Sequence, residues 1–310
     1  MQTHIQPNHK VSNNRPSFQV WWRLMRPHTL TAAFVPVFIG TTLAFLETSI
    51  DISLFVTMLI ASLLIQAATN MINEYFDYKR GLDTAESVGI GGTIVRDGVK
   101  PKIILNLAFC FFGIATLLGV YICMNSNWWV ALIGLIGMAV GYLYTGGPLP
   151  ISSTPFGELA SGFFMGLIII IISFFIQTGS ITSTSVLVSI PIMILVGAIN
   201  MSNNIRDLDG DKKNGRRTLP ILLGKEKSIR FLAALFVISY VWMVCLAITG
   251  VAPLWTLLVL LSIPKPISAV KGFVGKSEPI QMMPAMKATA QTNTIFGLLL
   301  SIGLFISYFI

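Results

Sequence analysis

The chain carries the polar stretch Asn200-Met201-Ser202-Asn203-Asn204-Ile205-Arg206-Asp207-Leu208-Asp209-Gly210-Asp211 at the end of a long apolar segment. If this stretch is helical, Asn203, Asp207 and Asp211 are spaced i, i+4 and i+8, which places their oxygens on one face. Hard oxygen ligands suit Mg²⁺, which binds one or two carboxylates and completes its shell with water and substrate phosphates. The stretch therefore predicts a helix end that binds a divalent cation.

The same pattern occurs 130 residues earlier, as Asn70-Met71-Ile72-Asn73-Glu74-Tyr75-Phe76-Asp77. Both stretches read Asn-Met-x-Asn-x-x-x-Asp, and the first is followed by a further carboxylate at Asp83. Two acidic clusters that face each other across a cavity would repel unless cations lay between them. The recurrence favours a pair of Mg²⁺ ions bridged by an anionic ligand over the alternative, solvated loop ends at a membrane surface.

Basic residues follow both acidic stretches and would bind the remaining charge of an anion, as cationic groups do on phosphates. They are Lys79, Arg80, Arg96, Lys212, Arg216 and Arg217. Acid, amide and base together indicate a diphosphate ligand. Membrane topology alone would also explain the basic residues, and both interpretations stay open at this point.

The composition places the chain in a membrane. Hydrophobic residues make up 54% of it and charged residues 11%, with a mean hydropathy of +0.76, whereas roughly 25% of the residues in a soluble domain are charged. The net charge of +8 does not indicate nucleic acid, because the basic residues flank apolar spans instead of forming a patch with aromatic residues.

Apolar stretches near 20 residues predict an all-α membrane protein with nine transmembrane helices. The predicted spans are about 29 to 46, 52 to 72, 102 to 122, 128 to 145, 156 to 176, 185 to 203, 230 to 249, 252 to 270 and 292 to 310. Nine spans place all 21 Lys and Arg residues on one side. By the positive-inside rule, the N-terminus is then cytoplasmic and the C-terminus outside.

The two acidic stretches close the second and sixth predicted spans, so both end on the cytoplasmic side. A transporter built on inverted repeats would place equivalent motifs on opposite sides. Residues 1–20 are expected to be a disordered tail and residues 21–310 a single transmembrane domain. Glycines in the third, fourth and fifth spans are expected to permit close helix packing.

Four further residues are candidates with open alternatives. Asn70 and Asn200 lie about a turn deeper in their spans, where they would bind a ligand or form hydrogen bonds between helices. Glu158, at the start of the fifth span, is either functional or a carboxylate stabilised by a helix N-terminus. Tyr144 lies in the break 141–150, which either shapes the mouth of a cavity or is an ordinary turn.

These motifs resemble the two Asp-rich motifs of the UbiA superfamily of intramembrane prenyltransferases. The first motif here is Asn73 to Asp77 with Asp83, and the second is Asp207 to Asp211. One departure concerns Glu74, since the first motif of the family usually begins Asn-Asp; the longer side chain moves the expected metal binding to Asp77 and Asp83. Other stretches are similar to the branch that prenylates 1,4-dihydroxy-2-naphthoate: Arg26 to Leu30, Gly91 to Gly98, Tyr144 to Pro148 and Asn203 to Asp207.

The resemblance implies transfer of a polyprenyl group from polyprenyl diphosphate to 1,4-dihydroxy-2-naphthoate with decarboxylation, in a central cavity open to a cytoplasmic mouth and to lipid. It implies Mg²⁺ at Asp77, Asp83, Asp207 and Asp211, and a catalytic set of Asp77, Asp207, Asp211 and Asn73. The expected substrate-binding residues are Arg26, Asn70, Lys79, Arg80, Arg96, Tyr144, Asn203, Lys212 and Arg216. The alternatives are another acceptor, such as 4-hydroxybenzoate, and a membrane transporter with the acidic clusters as an ion path.

Overall fold

The computed structural model of the chain describes residues 17–27, 29–83 and 92–310, and every regular element in these ranges is a helix. Nine apolar helices form a bundle: α1 Thr31–Phe45, α2 Ile52–Lys79, α3 Pro101–Asn125, α4 Trp129–Thr145, α5 Gly157–Thr178, α6 Ser183–Lys213, α7 Lys225–Ile248, α8 Leu254–Phe273 and α9 Pro279–Ile306. Short helices precede or connect them: Phe18–Leu24, Thr93–Asp97, Ile151–Ser153 and Leu219–Leu223. Residues 1–16 of the predicted tail, His28 and Gly91 lie outside the described residues.

Seven helices of the described chain, α2, α3 and α5 to α9, are long and apolar enough to cross a membrane. The other two apolar helices, α1 and α4, have 15 and 17 residues. The predicted all-α architecture with multiple membrane-spanning helices is thus confirmed, while the number of nine spans and the orientation of the termini stay predictions.

Three helices extend seven or more residues beyond the predicted apolar spans. Helix α2 continues to Lys79 and α6 to Lys213, while α9 begins already at Pro279. A hydropathy window stops at polar residues, but several polar residues beyond the predicted spans are buried in the bundle: Glu74 of α2, Asp211 of α6 and Thr289 of α9 are 0%, 7% and 1% exposed. As a consequence, both acidic stretches lie on regular helices rather than in loops.

The glycines of the bundle differ in how closely a neighbouring helix approaches them. A Cβ on Gly162 of α5 would lie 2.3 Å from the carbonyl oxygen of Met193 on α6, so only glycine permits this approach. The prediction of close packing is therefore right for α5. It is wrong for most of α3 and α4, because a Cβ on Gly113, Gly119 or Gly134 would meet nothing within 4 Å.

The main hydrophobic core joins α1 with α5 to α9, through fully buried side chains such as Ile39, Phe174, Ile192 and Phe296. Helices α3 and α4 instead leave many apolar side chains exposed, including Leu117 and Leu135. The cavity lies outside this main core, between α2, α3, α4 and α5.

Candidate active site

Arg216 joins the two acidic stretches. Its Nη2 atom lies 3.1 Å from Oδ1 of Asp77, and its Nη1 atom lies 3.0 Å from Oδ1 of Asp211. The turn after α6 aims this side chain inward: Gly215 takes a left-handed φ of 75°, and the backbone N–H of Arg216 donates to the carbonyl of Asp211. One guanidinium therefore spans the ends of α2 and α6.

The other two predicted metal ligands lie in different surroundings. Both carboxylate oxygens of Asp207 accept hydrogen bonds from the guanidinium of Arg206, with Nε 2.6 Å from Oδ1. Asp83 follows the end of α2, and its Oδ2 atom is buried without a hydrogen-bond partner. Burial, and next the Asp77 carboxylate, raise the pKa of Asp83 to about 6.

A magnesium ion fits these carboxylates only together with a further ligand. Within the described ranges, no three or more His, Cys, Asp or Glu residues form a ready-made metal site. However, Oδ2 of Asp83 and Oδ2 of Asp211 are buried and unpaired, which is costly for carboxylate oxygens. Because Mg²⁺ takes one or two carboxylates plus water and phosphate oxygens, the donor set fits an ion that arrives with a phosphate-bearing substrate.

A cavity of about 400 Å³ lies beside this acidic cluster, between α2, α3, α4, α5 and the start of α1. Along α2 it extends from Met58 to Asn73, which is about 22 Å at 1.5 Å per residue. Its polar end, which the ends of α2, α4 and α6 form, is lined by Arg26, Asn70, Asn73, Tyr144, Asn200 and Asn203. The remainder is lined mainly by apolar side chains. The cavity thus offers an amide-rich end next to the carboxylates and a long apolar section.

The side-chain amides of Asn70 and Asn200 form hydrogen bonds between segments of the bundle, which is one of the two roles that the sequence left open for them. The side-chain amide of Asn70 donates to the carbonyl of Met25, at 3.0 Å, and to Oγ1 of Thr29, at 2.9 Å. The amide of Asn200 donates to the hydroxyl of Tyr144 at 2.6 Å. These bonds fix the polar end of the cavity, and they leave the amides of Asn73 and Asn203, which line the same end, as the nearer candidates for a ligand.

Arg26 is strained and incompletely paired. Its φ of 51° is the only left-handed value of a residue other than glycine in the described chain, and such a conformation is uncommon outside functional sites and turns. Its Nε atom is buried with no hydrogen-bond partner, and the residue lines the cavity. Arg26 is therefore a group whose charge can meet an anion inside the cavity.

The remaining predicted basic residues differ in position. Arg80 donates to the carbonyls of Thr145 and Gly147 and lies over the Phe76 ring at 5.3 Å, so it connects the end of α2 to the end of α4. Lys79 and Lys212 are exposed next to the acidic stretches. Arg96 is exposed on the helix Thr93–Asp97, near enough to Asp83 to oppose the rise of its pKa.

Two buried glutamates have structural partners. Glu74 accepts a hydrogen bond from the backbone N–H of Ile94, at 3.1 Å, and thereby fixes the start of the helix Thr93–Asp97. Glu158 accepts from the side-chain amide of Asn204, at 2.8 Å, and so links α5 to α6. The role of Asn204 was not predicted, although its place in the second stretch matches that of Glu74 in the first.

The model of the "UbiA prenyltransferase family" matches residues 33–289. The 1,4-dihydroxy-2-naphthoate octaprenyltransferase of Bacillus subtilis (strain 168) is 64% identical over 291 residues, which cover 94% of each chain. This chain belongs to the UbiA prenyltransferase family. The enzyme of the same name from Escherichia coli (strain K12) is 27% identical over 297 residues, covering 93% of this UbiA chain and 96% of the relative.

Solved structures agree with this UbiA fold. A UbiA homologue from Archaeoglobus fulgidus bound to DMAPP and Mg²⁺ aligns with a TM-score of 0.63 at 15% identity, over 91% of this chain and 99% of that one. The apo structure of a UbiA homologue from Aeropyrum pernix K1 aligns with a TM-score of 0.67 at 15% identity, over 89% and 98%. The matched family region, residues 33–289, contains both acidic stretches, whereas Arg26 precedes it.

Proposed function

We propose that this UbiA-family protein transfers a polyprenyl group from polyprenyl diphosphate to 1,4-dihydroxy-2-naphthoate, with loss of diphosphate and carbon dioxide, to give the quinol form of demethylmenaquinone. The observation that carries the proposal is that Asp77 and Asp211 meet on Arg216, while Asn73 and Asn203 of the same two helices line the polar end of a long apolar cavity. The naphthoate acceptor is supported by the 64% identity to the Bacillus subtilis enzyme.

The acidic cluster would bind the diphosphate of the donor through Mg²⁺. Asp77, Asp83, Asp207 and Asp211 would hold Mg²⁺, with one or two carboxylates per ion, and the charge of the metal would stabilise the diphosphate as it departs. Cationic side chains, among them Arg216, which pairs with both Asp77 and Asp211, would bind phosphate oxygens that the metal does not reach.

The cavity would hold the reacting carbon of the donor away from water. Departure of the diphosphate leaves an allylic cation, and aromatic faces stabilise cations. The ring of Tyr144 lines the cavity, and the hydrogen bond from Asn200 fixes its hydroxyl. The apolar section beyond it would contain the prenyl tail.

Arg26 would bind the acceptor. A guanidinium pairs well with a carboxylate, and the strained backbone of Arg26 holds its side chain at the polar end of the cavity. The electron-rich naphthoate ring, so placed, forms a carbon–carbon bond to the allylic cation. Its carboxylate leaves as carbon dioxide.

The protein would lie in the cell membrane with nine spans, residues 21–310 forming one domain, and the active-site mouth on the cytoplasmic side. This orientation is supported by the 21 Lys and Arg residues, all of which fall on one side when nine spans are drawn. The shorter helices α1 and α4, of 15 and 17 residues, span about 22 and 26 Å, which flanking turns would extend across the bilayer.

The test is an assay of purified protein with Mg²⁺, a long-chain polyprenyl diphosphate and either 1,4-dihydroxy-2-naphthoate or 4-hydroxybenzoate, with products identified by mass. We expect a prenylated, decarboxylated naphthoquinol that EDTA abolishes. Product from 4-hydroxybenzoate alone would overturn the assigned acceptor. Absence of product from both acceptors would contradict the proposed reaction. It is also the result that the alternative function predicts, because a transporter forms no prenylated product.

A further inference from the structure

We infer that Arg216 is an internal counter-ion of the acidic site. A divalent cation must displace its guanidinium from the carboxylates, and the diphosphate of the donor binds the displaced guanidinium. Metal binding and donor binding are then coupled through one side chain. The inference rests on the proposed function for the identity of the donor, but the competition itself rests on Arg216, Asp77 and Asp211.

The ion pairs of Arg216 are sheltered from solvent. The side chain of Arg216 is 16% exposed, and the side chains of Asp77 and Asp211 are 18% and 9% exposed. Pairs at an open surface contribute little because water and salt screen them, whereas a partly buried guanidinium between two carboxylates is screened much less. Arg216 therefore satisfies a repulsion that the two acidic stretches would otherwise have.

Arg216 can change partners without moving its backbone. Its N–H donates to the carbonyl of Asp211 at 3.0 Å, and the N–H of the next residue, Arg217, donates to the carbonyl of Ser153 at 2.9 Å. The main chain is thus held on both sides of the turn. The long arginine side chain has several rotatable bonds, so the guanidinium can move by side-chain rotation alone.

A metal ion and the guanidinium compete for the same two carboxylates. Arg216 binds Oδ1 of Asp77 and Oδ1 of Asp211, so a cation that binds either carboxylate, whether at Oδ1 or at the unpaired Oδ2 of Asp211, lies beside a positive charge that repels it. A diphosphate resolves the competition, since its oxygens bind the guanidinium and the metal together. Linkage then requires that the diphosphate raise metal affinity and that the metal raise diphosphate affinity by the same factor.

The first test measures Mn²⁺ binding to the full-length protein in detergent, without diphosphate, by electron paramagnetic resonance of the free ion. We expect Arg216→Gln to bind Mn²⁺ roughly tenfold more tightly than the wild type, because a competing charge is lost. Lys213→Gln is the matched control: it removes one positive charge two residues from Asp211, from an exposed side chain, and should leave affinity within about twofold. Equal or weaker binding by Arg216→Gln would overturn the inference.

The second test measures binding of geranyl S-thiolodiphosphate at saturating Mg²⁺. Arg216→Gln should bind this analogue roughly tenfold more weakly, since a cationic contact to the phosphate is lost. Tighter Mn²⁺ binding together with weaker analogue binding would identify Arg216 as an exchanging counter-ion. Loss of a merely structural residue would weaken the binding of both the metal and the analogue, and that result would contradict the inference.

Arg216→Lys serves if the glutamine variant does not fold, as judged by thermal unfolding. Lysine keeps the charge but cannot bridge two carboxylates with a planar fork, so its Mn²⁺ affinity should lie between wild type and the value expected for glutamine. Affinity equal to the wild type would overturn the inference. A wild-type protein that forms prenylated product while all variants bind Mn²⁺ alike would refute the coupling and leave the proposed function intact.

Discussion

The side-chain amide of Asn200 and the hydroxyl of Tyr144 are joined by a hydrogen bond of 2.6 Å, which connects α6 to α4 at the polar end of the cavity. The bond leaves the tyrosine ring among the residues that line the cavity. The hydroxyl thus fixes the position of the ring, while the face of the ring is available to a cationic reacting carbon.

Substitution at Tyr144 should separate these two contributions. Tyr144→Phe keeps the ring and leaves the Asn200 amide without its partner, so it should lower the free energy of unfolding by about 1 kcal/mol with little change in turnover. Tyr144→Leu removes the aromatic face and should lower turnover by roughly tenfold or more. Unfolding in detergent and steady-state rates provide the two measurements; equal turnover of both variants would exclude a role for the ring.

Loss of one carboxylate of the acidic cluster should strongly lower turnover while the protein still folds. We expect Asp211→Asn to lower the rate roughly 100-fold or more. The variant has one negative charge fewer to bind the metal, and the metal is needed to stabilise the charge that develops on the departing diphosphate. Asp207→Asn should behave likewise. The matched control is Asp209→Asn, which changes an exposed carboxylate of the same helix and should retain near-normal rates. Normal rates in both site variants would reject the metal assignment.

The apolar section of the cavity should limit the length of the donor. Gly134 of α4 lines it, ten residues before Tyr144, or about 15 Å along the helix. A Cβ at this position would meet nothing within 4 Å, so Gly134→Phe should fold and fill the section. We expect transfer from octaprenyl diphosphate to fall roughly tenfold or more while transfer from geranyl diphosphate is retained.

Gly113→Phe provides the control for this length effect. Gly113 of α3 is equally free of neighbours within 4 Å, but it is exposed and is not among the cavity-lining residues. Gly113→Phe should leave the rate of transfer from both donors unchanged. If Gly134→Phe accepted the long donor normally, the tail would have to lie elsewhere.

The hydrogen bond between Glu158 and Asn204 should contribute mainly to stability. Glu158→Ala leaves the buried Asn204 amide without an acceptor, which should cost about 1 to 3 kcal/mol. Glu158→Gln keeps an acceptor oxygen at the same place and should cost less. Unfolding midpoints of the two variants in detergent would show the order. A loss by Glu158→Gln as large as the loss by Glu158→Ala would mean that the negative charge, and not only the acceptor oxygen, is required.

The structure confirms that both repeated stretches are helical, which the sequence could predict because helical spacing is a local property. Asn73, Asp77, Asn203 and Asp211 could be placed on helix faces from their spacing alone. The partner of these carboxylates could not be chosen the same way: Arg216 is one of several basic residues near the motifs, and its contact with Asp77 spans 139 residues. It depends on the path of the turn after α6.

The glycines of α3 and α4 show a second limit of sequence interpretation. Gly119 and Gly134 occur in apolar helices just as Gly162 does, yet only Gly162 lies against a neighbouring backbone. A glycine that permits close packing and one that leaves space for a ligand have the same local sequence character. The arrangement of the helices around them decides which role applies.

Helix α5 contains the π-helical segment Gly162–Ile168 between its α-helical ends. A π turn accommodates an extra residue relative to regular α-helical winding, so a one-residue deletion in this segment would let α5 wind as a plain α-helix. The two ends of α5 would keep their relative orientation, because a π turn and an α turn each complete one full circle and differ only by that extra residue. A second deletion would have no extra residue to remove: it would rotate everything before it by about 100° relative to everything after it, and would turn Glu158 away from Asn204. Loss of one codon in this segment should therefore leave α5 linked to the helix that carries the second acidic stretch, whereas loss of two should unlink it.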